Sequence, residues 1–238
     1  ILGITKKIKR TNEAQIAYHF PYMPAIWASL ITQDKKYFID AYAGSGLFGC
    51  AAAAAKAAAF MLLFGKEKKE ITIETPKGIS YTTQLLDICR RENRVSCAVR
   101  KDGGDDPDIT SGALIYAAVF YEPEQAGEIL IDGGVGVGRV TRAGLNQPVG
   151  NAAINEVPRE MIRKEVLQVC GLADYKGGLR VEIFVPEGER LAKNTFNPRL
   201  GIEGGISILG TSGIVEPMSS QAILDTIFIE LKQRRALG

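Results

Sequence analysis

Histidine is almost missing from this chain: one residue, His19, among 238. Serine triads, histidine acid/base pairs and histidine-ligated metals are left with almost nothing to build on. Cysteine is scarce and badly spaced for metal. The four, at 50, 89, 97 and 170, include no C-x-x-C pair. They read as free thiols of a reducing cytosol. Excess charge is missing too: Lys plus Arg total 29 against 27 Asp plus Glu, a net +2. That gives no case for nucleic acid or an anionic membrane as partner. No secretory leader is expected. The longest apolar run, residues 47–64, carries Lys56 near its middle. It falls short of a comfortable membrane span and reads as a buried Ala-rich helix whose lysine snorkels to solvent.

What remains is ordinary globular composition, 46% hydrophobic and 24% charged, in a chain long enough for a real core. The patterns predict an α+β fold: a mixed, mainly antiparallel sheet with the Ala-rich helix and a C-terminal amphipathic helix packed on it. Helices are expected at 12–18, 50–64, 158–169, 187–193 and 219–237. The last puts Ile223, Ile227, Phe228 and Leu231 on one face. Strands are expected at 37–40, 71–75, 79–89, 94–100, 109–121, 129–132, 179–186 and 206–209, with a polar turn at 90–93. Residues 1–45 are set apart as an atypical N-terminal segment, and 46–238 read as one domain.

Glycine is abundant and grouped. Residues 197–218 hold a short apolar strand between two Gly-rich turns. That is either a buried strand between tight turns or exposed amides suited to anionic groups. Gly44-Ser-Gly46-Leu-Phe-Gly49 stands between an expected strand and an expected helix. That order suits S-adenosylmethionine or a nucleotide, or is simply a turn into a helix. Gly133-Gly-Val-Gly-Val-Gly138 follows a strand but no helix follows it. It is a cradle for an anion, with Arg139 as a fixed charge, or a Gly-rich hairpin. Lys101-Asp102-Gly-Gly-Asp105-Asp106-Pro-Asp108 packs four Asp into seven residues. It is a turn, a cation site or a source of one general base.

Several of these segments together resemble the CbiD family, the cobalt-precorrin-5B (C-1)-methyltransferases. The resemblance runs in order through Cys50-Ala-Ala-Ala-Ala-Ala-Lys-Ala-Ala-Ala, Ser96-Cys-Ala-Val-Arg-Lys-Asp-Gly-Gly-Asp-Asp-Pro-Asp and Gly133-Gly-Val-Gly-Val-Gly-Arg-Val-Thr. It continues through Asn151-Ala-Ala-Ile-Asn, Leu191-Ala-Lys-Asn-Thr-Phe-Asn-Pro-Arg-Leu-Gly-Ile and Gly210-Thr-Ser-Gly-Ile-Val-Glu-Pro-Met-Ser. It implies methyl transfer from S-adenosylmethionine to ring carbon 1 of a cobalt-corrinoid, a tetrapyrrole bearing carboxylates on its rim. Cobalt enters only as part of the substrate; no resident metal is implied.

The residues then sort as follows. Asp105 and Asp106 are the catalytic candidates. Gly44, Gly46, Gly49, Gly134, Gly136 and Gly138 are the donor-binding candidates. Arg139, Arg199, Thr211, Ser212 and Glu216 are the substrate-binding candidates, with Arg180 as a further grip. Two departures from the family stand out. Gly46 to Gly49 replace a hydroxyl-rich run, and the family continues past a position like Gly238. A class I S-adenosylmethionine methyltransferase built on Asp40-Ala-Tyr-Ala-Gly-Ser-Gly, or a non-catalytic corrinoid-binding half, are the rival expectations. A homo-oligomer is left open.

Overall fold

The computed structural model describes residues 44–104, 108–210 and 214–215. The expected helices 12–18 and 219–237, the strand 37–40, and Asp105, Asp106, Thr211, Ser212 and Glu216 lie outside the described residues.

The fold is α+β. Its centre is a five-stranded sheet in the order β4 (Leu86–Arg91), β5 (Arg94–Arg100), β6 (Leu114–Glu122), β10 (Gly178–Phe184) and β7 (Ile129–Gly133). Only the β10–β7 pair is parallel. Strands β5, β7 and β10 therefore run one way and end at the same edge. One face of the sheet is apolar. Val95, Val119, Val181 and Ile131 lie in register across four strands. Against that face packs α1 (Leu47–Phe64), and α2 (Glu156–Leu172) packs beside α1. A helix that is apolar all round must be buried. Cys50 and every alanine from 51 to 59 are fully buried. Alanine lets the backbones approach closely: the Cys97 thiol of β5 reaches the Ala54 carbonyl at 3.3 Å. By length and composition α1 is apolar enough to cross a membrane, yet it is the core helix here. Gly65 ends it in the left-handed region at φ 66°, its N–H returning to Met61.

Smaller pieces complete the edge where β5, β7 and β10 end. They are β1 (Gly44–Ser45) paired with β13 (Ile214–Val215), β8 (Gly136–Val137) with β12 (Gly205–Ile206), and β9 (Arg139–Val140) with β11 (Ile202–Glu203). A short helix, α3 (Gly188–Ala192), packs on β12. A separate hairpin, β2 (Glu70–Glu74) and β3 (Ser80–Gln84), buries Ile71 and Ile73 beside α1.

Several expectations need correction. The strand expected at 79–89 is two strands. The chain leaves the hairpin at Leu85, between β3 and β4, and β4 itself carries an irregularity at Asp87, φ 47°, where the register with β5 shifts. The polar turn at 90–93 shrinks to Glu92 and Asn93, because β4 carries Arg90 and Arg91 in the ladder. Residues 109–112 turn rather than extend, since Asp108 accepts from the Thr110 N–H and Gly112 sits at φ 82°. Helix α1 begins at Leu47, so Gly49 is helical and not part of a loop. Helix α2 begins two residues before Pro158 and contains Gly171; the left-handed residue is Asp174, at φ 47°. The strand at 206–209 shortens to Gly205–Ile206 plus a bridge from Ile208 to Ile154. Lys56 does not snorkel: its ammonium meets Glu165 of α2 at 2.7 Å. The rival class I fold needs a helix after each strand. Strands β2 to β9 follow one another with no helix between them.

Candidate functional site

Both long helices start at the edge where β5, β7 and β10 end. Helix α1 enters from Ser45, whose N–H reaches the Asp102 carbonyl just past β5 at 2.7 Å. It leaves at the far edge, where Arg90 of β4 caps Gly65 at 2.7 Å. Helix α2 enters at Asn155, bonded to Ile208, and Arg159 in its first turns reaches the Ile131 carbonyl of β7 at 2.6 Å. Its far end meets Tyr121 at the end of β6 through Tyr175. Two positive helix ends thus face one edge of the sheet, a field that favours anions.

Three segments far apart in sequence converge at the α1 end. Ser45 anchors the first. Its hydroxyl accepts from the Asp102 N–H at 3.0 Å and from the Cys50 thiol at 3.3 Å. The acidic loop is the second. Gly44 lies so close to it that a Cβ there would stand 2.3 Å from Gly103 and 2.4 Å from the Asp102 carbonyl. The third is the segment that follows β12. Gly210 presses on the Phe48 ring, and Ile214 pairs with Ser45. Gly46 is the N-cap at φ −72°, a conformation open to any residue. Gly46 is buried there, and its backbone does not require glycine. No acidic residue stands in the first turn of α1 to neutralise the helix end.

The acidic loop is closed by a buried ion pair. Lys101, 1% exposed at its side chain, reaches Asp108 at 2.5 Å. Asp108 also accepts from the Thr110 N–H and hydroxyl, each at 2.8 Å. Burial pushes the Asp108 carboxyl up, but the Lys101 and Thr110 hydrogen bonds and the Lys101 charge outweigh it and hold the group below its ordinary value. Burial pushes the Cys50 thiol up. Burial, with Cys50 beside it, pushes the Tyr81 phenol up to about 12. Both stay protonated at neutral pH. This corner therefore supplies shape, hydrogen bonds and one fixed ion pair, and little proton traffic. Lys101 and Ser45 were missed in the sequence, where a lysine opening a charged turn looks like a solvated one. The Asp108-x-Thr110 spacing, typical of an Asx turn, was the available signal.

The glycines of 133–138 have a different task. A Cβ on Gly136, at φ 75°, would stand 1.7 Å from the Val185 carbonyl. One on Gly138 would meet Ile202 at 2.4 Å, and one on Gly134 the Glu182 carboxylate at 2.7 Å. Protein atoms fill the space a ligand would need. Arg139 already grips a carboxylate of its own chain, donating to both Asp132 oxygens at 2.9 Å and to the Gly133 carbonyl at 2.7 Å. Arg180 lies toward the other end of the sheet, over the Phe120 ring at 4.1 Å. Arg199 is exposed, in the turn before β11.

The CbiD family model matches residues 37–217. A cobalt-precorrin-5B C(1)-methyltransferase of Ruminiclostridium cellulolyticum is 54% identical over 182 residues, which is 76% of this chain and 47% of the relative. One of Alkaliphilus metalliredigens is 52% identical over 187 residues, 79% of this chain and 48% of the relative. The chain spans about half the length of the curated relatives it matches. A crystal structure of the cobalamin biosynthesis protein CbiD from Archaeoglobus fulgidus superposes with a TM-score of 0.57 at 30% identity, covering 79% of this chain and 59% of that one. With three quarters of its length inside the family model, and its family motifs meeting at one edge, the chain belongs to the CbiD family.

Proposed function

We propose that this chain takes part in transfer of a methyl group from S-adenosylmethionine to ring carbon 1 of cobalt-precorrin-5B, in the cytosol. The observation that carries the reading is the meeting of residues 44–50, 101–104 and 208–210, with β13 beside them, at the start of α1, in a chain about half identical to enzymes of that name.

The donor, when bound, supplies an electrophilic methyl on a sulfonium. The residues present fit its charged methionyl end: an uncapped helix start, glycine at the cap and no first-turn acid. The ring carbon brings its own electron pair. The protein's work is then to fix distance and angle, which agrees with a corner whose thiol and phenol stay protonated. Gly46 stands at the helix start that holds the donor carboxylate in this reading. Asp105 and Asp106 bind substrate N–H groups or take a proton. Arg199, Thr211, Ser212 and Glu216 hold the substrate rim. Arg139 keeps Asp132 and the start of the 133–138 loop in place, and is a positioning residue in this scheme.

The test is calorimetric titration of the 238-residue chain with S-adenosylhomocysteine, beside Gly46→Val. Binding that the valine abolishes supports the reading. Binding that the valine leaves intact puts the donor elsewhere. No binding of either S-adenosylhomocysteine or a cobalt-corrinoid carboxylate refutes it.

A further inference from the structure

We infer that the cleft beside the start of α2 receives the adenine edge of the methyl donor; the inference rests on the reaction proposed above. The cleft has aliphatic walls, among them Val140, Leu145, Ile202 and Leu209. Its polar lining is Asn146, Gln147 and Asn155 with the Ser207 hydroxyl, and no charged side chain lines it among the described residues. The volume is about 50 Å³, room for one edge of a planar ring, with the rest lying over half-exposed Leu209 at the mouth.

The lining selects its ligand by elimination. A charged group would be buried there without a counterion. A purely aliphatic group would cover the half-buried Gln147 and Asn155 amides without pairing them. A flat, neutral group with hydrogen-bonding edges satisfies both, and an asparagine amide matches the donor–acceptor edge of adenine with two hydrogen bonds.

Asn155 is built for that role. It is the N-cap of α2, where asparagine normally spends its side chain on the helix's free N–H groups. Here the side chain makes no cap bond. The backbone is nonetheless fixed: its N–H reaches the Ile208 carbonyl at 3.0 Å, and its carbonyl accepts from Arg159 N–H at 3.1 Å. The amide is held at the cleft and, among the described residues, makes no cap hydrogen bond.

The cleft also joins the α1 site. Ser207 and Leu209 line it, and the next residue, Gly210, touches Phe48 in the first turn of α1. Three extended residues span about 10 Å. One molecule can place its adenine in the cleft and its charged methionyl end at Gly46.

The full 238-residue chain is titrated with adenosine, inosine and S-adenosylhomocysteine, and Asn155→Leu is measured alongside. Adenosine should bind and compete with S-adenosylhomocysteine. Inosine, whose O6/N7 edge offers two acceptors where the N6/N7 edge of adenosine offers a donor and an acceptor, should bind about tenfold weaker or worse if Asn155 reads that edge. Asn155→Leu should weaken adenosine and S-adenosylhomocysteine by at least about tenfold, with an unchanged thermal midpoint because no cap bond is lost. The subsite is overturned if adenosine does not bind, if it binds without competing, or if Asn155→Leu changes nothing. S-adenosylhomocysteine binding that Gly46→Val abolishes and Asn155→Leu leaves untouched would sink the adenine subsite alone, leaving the methyl-transfer reading intact.

Discussion

The ion pair between Lys56 and Glu165 gives the sharpest test of how the two helices are held. Lys56 belongs to α1 and Glu165 to α2, and they meet beside β2. Glu165 is fully buried and Lys56 19% exposed at the side chain. The ammonium lies 2.7 Å from Glu165 Oε2 and donates to the Thr72 carbonyl at 2.9 Å. Glu165 Oε1 accepts from the Glu74 N–H at 3.3 Å. Removing one partner of a buried pair strands the other charge, at about 3–5 kcal/mol. Water reaches Lys56, so the lower end applies: Lys56→Met should cost about 3 kcal/mol. Replacing both, as Lys56→Met with Glu165→Leu, should recover most of that loss, because well-packed apolar residues substitute for buried pairs at little cost. Urea unfolding at pH 7, followed by circular dichroism, reads all three variants against the parent. A single variant costing under about 1 kcal/mol, or a double variant no better than the single, would refute the reasoning.

The remaining predictions are brief. Gly136→Ala should leave no stably folded protein, since a Cβ there strikes the Val185 carbonyl at 1.7 Å at φ 75°, whereas Gly78→Ala, at φ 74° with open space around it, should cost only about 1 kcal/mol in urea unfolding. Asp108 has a folded pKa below its unfolded value, so its contribution is complete above about pH 4 and is lost as pH falls through the folded value. Asp108→Asn should therefore lower stability at pH 6 and flatten the acid limb below about pH 4, and an acid limb of unchanged slope would count against the pair. Of the four cysteines only Cys89 is exposed; burial pushes Cys50, Cys170 and Cys97 up, the last to about 12. One thiol per native chain should react quickly with a disulfide reagent and the other three only on unfolding; two fast thiols would contradict the packing of α1.

Much of the fold was legible because it is local. The alanine run of α1 reads as a buried helix whatever surrounds it, since alanine is the best helix former and exposes nothing polar. The alternation in residues 179–186 and 71–75 reads as strand for the same kind of reason. The misplacements are those where a tertiary contact beats local preference. Asp87 breaks a run of good strand formers at φ 47°, its carboxylate accepting from the Tyr116 hydroxyl at 2.5 Å, 29 residues away. Lys56 turns inward because Glu165 waits on another helix.

The site shows the same division at longer range. Each Gly-rich run was visible, but a glycine chosen to admit a ligand and one chosen to admit another backbone look alike in sequence. Gly136, Gly188 and Gly205 meet at one point. A Cβ on Gly188 or on Gly205 would stand 1.9 or 2.1 Å from the Gly136 carbonyl. That junction closes the edge by bringing β12 against β8, and it leaves no space for a donor. Gly46 differs in kind: its φ is ordinary, and it heads a helix with no first-turn acid. The distinction depends on what lies across the gap, which is set by pairings between residues 69 to 171 positions apart, Gly205 with Gly136 and Gly44 with Val215. No window of sequence contains both members of such a pair. What a sequence can offer is the list of segments worth bringing together; the sheet, by ending β5, β7 and β10 at one edge and starting both long helices there, decides which of them meet.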